Sequence, residues 1–174
     1  MRLFLFIALL ILAPMLASIY GFIHDQITYS ISEEFFTKFR FLDYDLPKNW
    51  HPRAKAGFIG IMNAWKVGIP FGIILTTIGR IHKKDLDFLN YTVLAYMTTF
   101  LMSFIFTMIA IYLPEPGEDV MTLPADIINK IAFARVVTIN NFGYVGGIIG
   151  MLCGIGLHMF FYKRNLKKAS ITKP

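Results

Sequence analysis

The chain has 174 residues, of which 56% are hydrophobic and 16% charged, with a mean hydropathy of +0.57. A water-soluble domain carries about a quarter of its residues as charges. The balance here excludes an ordinary soluble enzyme and, despite a net charge of +6, a soluble nucleic-acid-binding module.

The apolar residues fall in four blocks, each long enough for the roughly 20-residue helix that crosses a bilayer. The expected architecture is all-α, a four-transmembrane-helix bundle with a short amphipathic helix in the first outer loop, forming one integral membrane domain over residues 1–174. The first span covers about residues 3–23 and contains Pro14. A basic start before an apolar stretch also describes a signal peptide. Here the stretch continues through Ala17 and Tyr20 to Ile23 without a clean small-x-small pair, so the expectation is an uncleaved helix with at most a local kink at Pro14.

After this span, Ser30-Ile31-Ser32-Glu33 reads as a capping box. Phe35, Phe36 and Phe39 then mix with Glu34, Lys38 and Arg40, which predicts an amphipathic helix lying on the outer leaflet. The second span covers about residues 56–78 and ends before Arg80, His82, Lys83 and Lys84. It carries Ala56, Gly60, Ala64, Gly68 and Gly72 at four-residue steps. The third, about 88–113, offers Ala95, Thr99, Ser103 and Thr107, and Pro114-Glu115-Pro116-Gly117 stops it. The fourth, about 131–162, exceeds what a bilayer requires and carries Gly146, Gly150 and Gly154, with Gly143 and Gly147 on the neighbouring row.

Small residues at this spacing let helix backbones approach closely in lipid. They predict a compact bundle with the second, third and fourth spans closely apposed and no wide aqueous pore. Cys153 reads as a small buried packing residue, and a single cysteine excludes an internal disulfide.

Charge sets the expected orientation. With the N-terminus inside, Arg2, Arg80, Lys83, Lys84, Lys163, Arg164, Lys167, Lys168 and Lys173 stand on the inner side against Asp85 and Asp87 alone. The outer loops hold more acidic than basic residues. Because Lys and Arg of short loops stay in the cytoplasm, both termini are expected there.

Lys66 stands apart, roughly 14 Å along the second span at 1.5 Å per residue. An ammonium at that depth costs at least ~2.5 kcal/mol, and no span offers Asp or Glu at a comparable depth. Lys66 is two residues from both Ala64 and Gly68, so it and Asn63 are expected to face a surface away from the small-residue strip. It finds hydroxyls, amides or carbonyls, snorkels outward beside Trp65, loses its proton, or meets an anion or another subunit's carboxylate.

A polar group gathers on the outer side: His24, Asp25, Gln26 and Tyr29 after the first span, His51 and Arg53 before the second, and Asn140, Asn141 and Tyr144 in the fourth. It predicts either a pocket open to the exterior or a hydrogen-bond network holding the first loop. His24, Asp25, His51 and Glu33 or Glu34 have ligand types that suit zinc, but their spacing matches no compact motif. No metal and no other cofactor is expected.

The strings His24-Asp25-Gln26-Ile27-Thr28-Tyr29-Ser30-Ile31-Ser32 and Asn141-Phe142-Gly143-Tyr144-Val145-Gly146-Gly147 resemble signatures of an uncharacterised family of bacterial multi-pass membrane proteins. The resemblance implies four spans, an outward HDQ loop and a place in the bacterial cytoplasmic membrane, and it brings no activity. Those relatives carry histidine where this chain has Asn140, which weakens a metal or proton-relay role at that position.

No catalytic constellation accompanies these features. The leading expectation is a non-catalytic accessory or structural subunit of a larger membrane complex, with the lipid bilayer and other membrane subunits, or further copies of itself, as partners and no nucleic acid. The alternatives are a small oligomeric transporter or channel for an anionic or polar solute, using Lys66, Asn63, Asn140 and Asn141, and a membrane enzyme acting through His24, Asp25 and His51.

Overall fold

A computed structural model describes residues 2–114 and 126–171 of the chain. Among the described residues five α-helices form, in the order α1 (Arg2–Ile31), α2 (Glu33–Thr37), α3 (Pro52–Gly79), α4 (Asp85–Ile111) and α5 (Lys130–Ile171), with a short 3-10 turn at Arg40–Asp43. No strand occurs among the described residues. α1, α3, α4 and α5 are each long and apolar enough to cross a membrane.

Each end has a local cause. α1 runs about two turns past Ile23, so Ser30 lies inside it and donates to the Gln26 carbonyl (3.0 Å). The cap of α2 is therefore Ser32, two residues later than the Ser-x-x-Glu spacing suggests. Its backbone is extended and its hydroxyl oxygen accepts from the Phe35 amide at 3.3 Å. α3 opens with Pro52 at its first turn, and His51 Nδ1 accepts from the Arg53 amide. α4 stops before Pro114. The rest of that stop signal, with Glu115, Glu118 and Asp119, lies outside the described residues, as does Lys173.

The four long helices pack as two pairs, α1 with α3 and α4 with α5. The expected close apposition of the second, third and fourth spans is thus corrected. α1 carries its own strip of Ala13, Ala17 and Gly21, and this strip meets Gly60, Ala64, Gly68 and Gly72 of α3. A Cβ placed at Gly21 collides with the Gly60 carbonyl, and one at Gly60 with the Gly21 carbonyl. In the other pair, a Cβ at Gly146 would lie 2.6 Å from the Met102 carbonyl oxygen of α4, and one at Gly150 would lie 2.6 Å from Thr99 Cα. Gly154 faces Ala95 and also Leu75 of α3. Cys153, one position from that seam, is exposed rather than buried.

The pairs meet firmly at two levels. Near the end that holds the chain termini, Leu9, Ala13, Leu75, Phe88, Ala95 and Tyr96 form one core. Arg2 reaches across this end to the carbonyls of Arg80 (3.1 Å), Lys83 (3.3 Å) and His82, and Asn165 donates to Asp87 at 3.2 Å. At the opposite end, which carries α2, Tyr29, Phe35, Phe36, Ala56, Ile127, Phe133 and Val136 form a second core. α2 is therefore folded over the bundle and not laid on a leaflet, because Phe35 and Phe36 find apolar partners within the chain. Burial of each ring away from water contributes about 1.5–3 kcal/mol.

Candidate functional site

Between the two cores the helix pairs stand apart, and a cavity of about 750 Å³ separates them. This volume falls in the range of small-molecule sites. Along α3 its wall extends from Gly60 to Leu75, which at 1.5 Å per residue is about 22 Å. The wall farther from α2 is mostly apolar, with Leu16, Val67, Phe71, Leu75 and Phe100 beside Tyr96 and Thr99. The cavity is lined mostly by apolar residues and is not the wide aqueous pore that the small-residue strips argue against: the strips close the interfaces within the pairs, and larger side chains line the interface between them.

Polar groups gather in the half nearer α2. His24 and Asp25 lie on the last turns of α1, both buried, with His24 Nδ1 and Asp25 Oδ1 at 3.1 Å. A carboxylate only accepts, so His24 Nδ1 is the donor of this contact. His24 Nε2 is buried and has no protein partner. The position of a Cβ on Gly143 would be 3.6 Å from this nitrogen, 2.8 Å from Tyr20 Oη and 3.1 Å from Thr107 Oγ1, so the glycine keeps the wall clear beside three polar atoms. Tyr20 and Thr107 share a hydrogen bond of 2.8 Å, and Ser103 donates to the Gly143 carbonyl at 2.7 Å. Asn140, Asn141 and Tyr144 of α5 complete this wall, and Asn63 faces them from α3.

The segment after α1 roofs the cavity. Phe35, Phe39 and Arg40 line its mouth, and Tyr44 donates to Asn63 Oδ1 at 2.6 Å. Two bonds pin α2 to α5: the Glu34 carboxylate accepts from the amides of Ile128 (3.0 Å) and Asn129 (2.7 Å) at the start of α5, and Lys38 pairs with it at 3.0 Å. The two amides, followed by Lys38, hold the Glu34 carboxyl down at about 2. At the other end of the cavity the Tyr96 hydroxyl bonds Thr76 and donates to the Leu9 carbonyl (3.1 Å), joining three helices.

The polar residues singled out in the sequence therefore divide. His24, Asp25, Asn140, Asn141 and Tyr144 line one cavity. Gln26, Tyr29, His51 and Arg53 hold the rim: Gln26 donates to the Arg53 carbonyl, Arg53 lies over the Tyr29 ring, Tyr29 donates to Glu33, and His51 is exposed at the α3 cap. His51 thus stays apart from His24, and no three His, Cys, Asp or Glu side chains converge in metal-binding fashion among the described residues. Asn63 and Lys66 also part, with Asn63 on the cavity and Lys66 exposed on the far side of α3. Consequently Lys66, Asn63, Asn140 and Asn141 do not line one path within the chain.

Tyr20, Arg40, Ser103 and Thr107 belong to the site and were not singled out as site residues from sequence. Tyr20 had a signal, since it precedes His24 by one helical turn. Ser103 and Thr107 read as packing residues because a hydroxyl on a small-residue row gives no sign of which way it bonds.

A second buried group lies at the terminal end, where His82 Nε2 and His158 Nδ1 are 3.2 Å apart. Burial pushes His82 below the ordinary histidine range, against the opposing pull of Asp87. The pair links the α3–α4 turn to α5 alongside the Arg2 contacts. Comparison with family models, curated proteins and solved structures returns no match, so the reading of the cavity rests on its own geometry.

Proposed function

We propose that this protein holds a lipid-like amphiphile between its two helix pairs. The observation that carries the reading is a 750 Å³ cavity with His24, Asp25, Asn63, Asn140 and Asn141 in the half nearer α2, where His24 Nε2 has no protein partner, and mostly apolar walls along the rest. A guest with a hydroxyl or amino group on its polar head bonds this polar half, His24 included, and its hydrocarbon portion fills the space between Leu16, Val67, Phe71 and Leu75. The setting proposed is the bacterial cytoplasmic membrane with both termini in the cytoplasm. Its support is the concentration of Lys and Arg at the terminal end.

Native mass spectrometry with lipid extraction of the detergent-purified protein tests the proposal. The wild type is expected to retain one amphiphile per chain. Val67→Trp, which fills the cavity, is expected to abolish retention. His24→Ala is expected to weaken it about fivefold, the loss of one hydrogen bond. Equal retention in all three would sink the reading.

A second reading, the accessory subunit of a larger membrane complex, is favoured by a separate observation: Lys66 is exposed at mid-depth on the α3 face turned away from the cavity.

A further inference from the structure

Lys66 lies ten residues into the apolar stretch 56–78 and twelve from its other end, about 15 and 18 Å along the helix. The hydrocarbon core of a bilayer is about 30 Å thick, so the side chain leaves from near its middle and falls short of either boundary. No hydrogen bond or ion pair to Lys66 exists among the described residues, and the residues around it, Trp65 (38% exposed), Ile69 (38%) and Ile73 (50%), all face outward. α1 covers the opposite side of α3, through Gly60, Ala64, Gly68 and Gly72.

We infer that this face of α3 docks a transmembrane helix of a different membrane protein, one that presents an Asp or Glu carboxylate to Lys66 near the bilayer midplane. The inference rests on the subunit reading and names the chemistry of the partner. Charge excludes the other occupants. A lipid phosphate sits at the bilayer surface, beyond the reach of the ammonium. The long helices of a second copy bring no accessible acid to that depth: α3 and α5 contain no Asp or Glu among their described residues within the apolar stretch, and those of α4 are at its first turn. Asp25 of α1 is level with Gly60, six residues from Lys66, and is buried against His24 on the cavity side. An apolar helix alone would leave the cation without a counter-charge in hydrocarbon, which is unfavourable. A carboxylate that forms the pair within lipid removes this cost for both chains, while Trp65, Ile69 and Ile73 supply the flanking apolar contact.

Photocrosslinking in native membranes tests this, with a photoreactive phenylalanine at Ile69 or Ile73 and, as control, at the equally outward Leu101 of α4. Positions 69 and 73 are expected to give one protein adduct, identified by mass as a membrane protein with Asp or Glu inside a transmembrane segment. Leu101 is expected to give lipid adducts alone. Lys66→Met is expected to reduce the protein adduct more than tenfold, Lys66→Arg to restore it, and neutralising the partner's acid to reduce it equally. Helical content of the variants, measured alongside, separates loss of the partner from loss of fold. Lipid or self adducts alone at 69 and 73 would overturn both the inference and the subunit reading. An adduct that persists in Lys66→Met, or a partner without an intramembrane acid, would overturn the inference and leave the subunit reading standing.

Discussion

Within the α1–α3 pair, Gly21 and Gly60 bring two backbones into direct contact, and Gly146 and Gly150 do the same between α5 and α4. Between the pairs, the facing residues are Tyr20, Phe71, Phe100 and Val137, and the helices stand far enough apart to leave a ligand-sized cavity. The two kinds of interface sit at the same depth in the same bundle. In lipid no hydrophobic drive pulls helices together, so an interface closes only where backbones can approach and dispersion contacts accumulate. Where bulky and polar side chains alternate, the gap is held by its ends: by Tyr96 and the Leu9 core near the termini, and by the α2 roof at the other end.

This contrast can be broken most directly at the tight interface. Gly60→Ala places a methyl group against the Gly21 carbonyl, and neither backbone can yield without separating α1 from α3. A destabilisation of about 3 kcal/mol is expected from detergent-titrated helicity. Gly156→Ala meets nothing within 4 Å and is expected to be neutral or up to about 1 kcal/mol stabilising. If the two substitutions behaved alike, close glycine packing would not be what holds the pair.

The ties across the open interface are expected to matter less. Tyr96→Phe keeps the ring in the core and removes the bonds to Thr76 and the Leu9 carbonyl. The expected cost is about 1 kcal/mol, with faster amide exchange in the first half of α1 as the pairs loosen at that end. Unchanged exchange there would show that the apolar core alone joins the pairs.

The smallest effect is expected at Glu34, where pH supplies the perturbation. Its carboxyl is held at about 2 in the folded chain against an ordinary value of 4.5. A lowered folded value means that the α2–α5 tie contributes fully above about pH 4.5 and is lost as pH falls toward 2. The melting-temperature difference between wild type and Glu34→Gln should therefore shrink across that window. A difference that stays constant with pH would assign the tie to something other than the ionised carboxylate.

Much of this contrast could be read from the chain, and some of it could not. The strip on α3 was legible at Gly60, Ala64, Gly68 and Gly72, yet its partner was misjudged, although Ala13, Ala17 and Gly21 stand at the same four-residue spacing in the first span. Spacing identifies a face that permits close approach without naming the helix that takes it. Similarly, His24, Asp25, Asn140, Asn141 and Tyr144 were visible as polar residues near one membrane face, but nothing in their spacing separates them from Gln26, Tyr29, His51 and Arg53, which hold the rim. The Phe35 and Phe36 pattern carried the same ambiguity, since an apolar helix face suits a leaflet or a protein core equally well.

Sequence by itself determined the all-helical class and the number and approximate place of the four membrane-length helices, because each depends on local hydrophobicity and backbone satisfaction within one segment. It also determined that Lys66 is anomalous, since depth along one helix follows from counting residues. Tertiary structure alone decided the pairing of α1 with α3 and α4 with α5, the cavity that this pairing leaves, and the parting of Asn63, on the cavity, from Lys66, exposed outside. These depend on which complementary surfaces meet, and complementarity is a property of two segments that neither encodes alone.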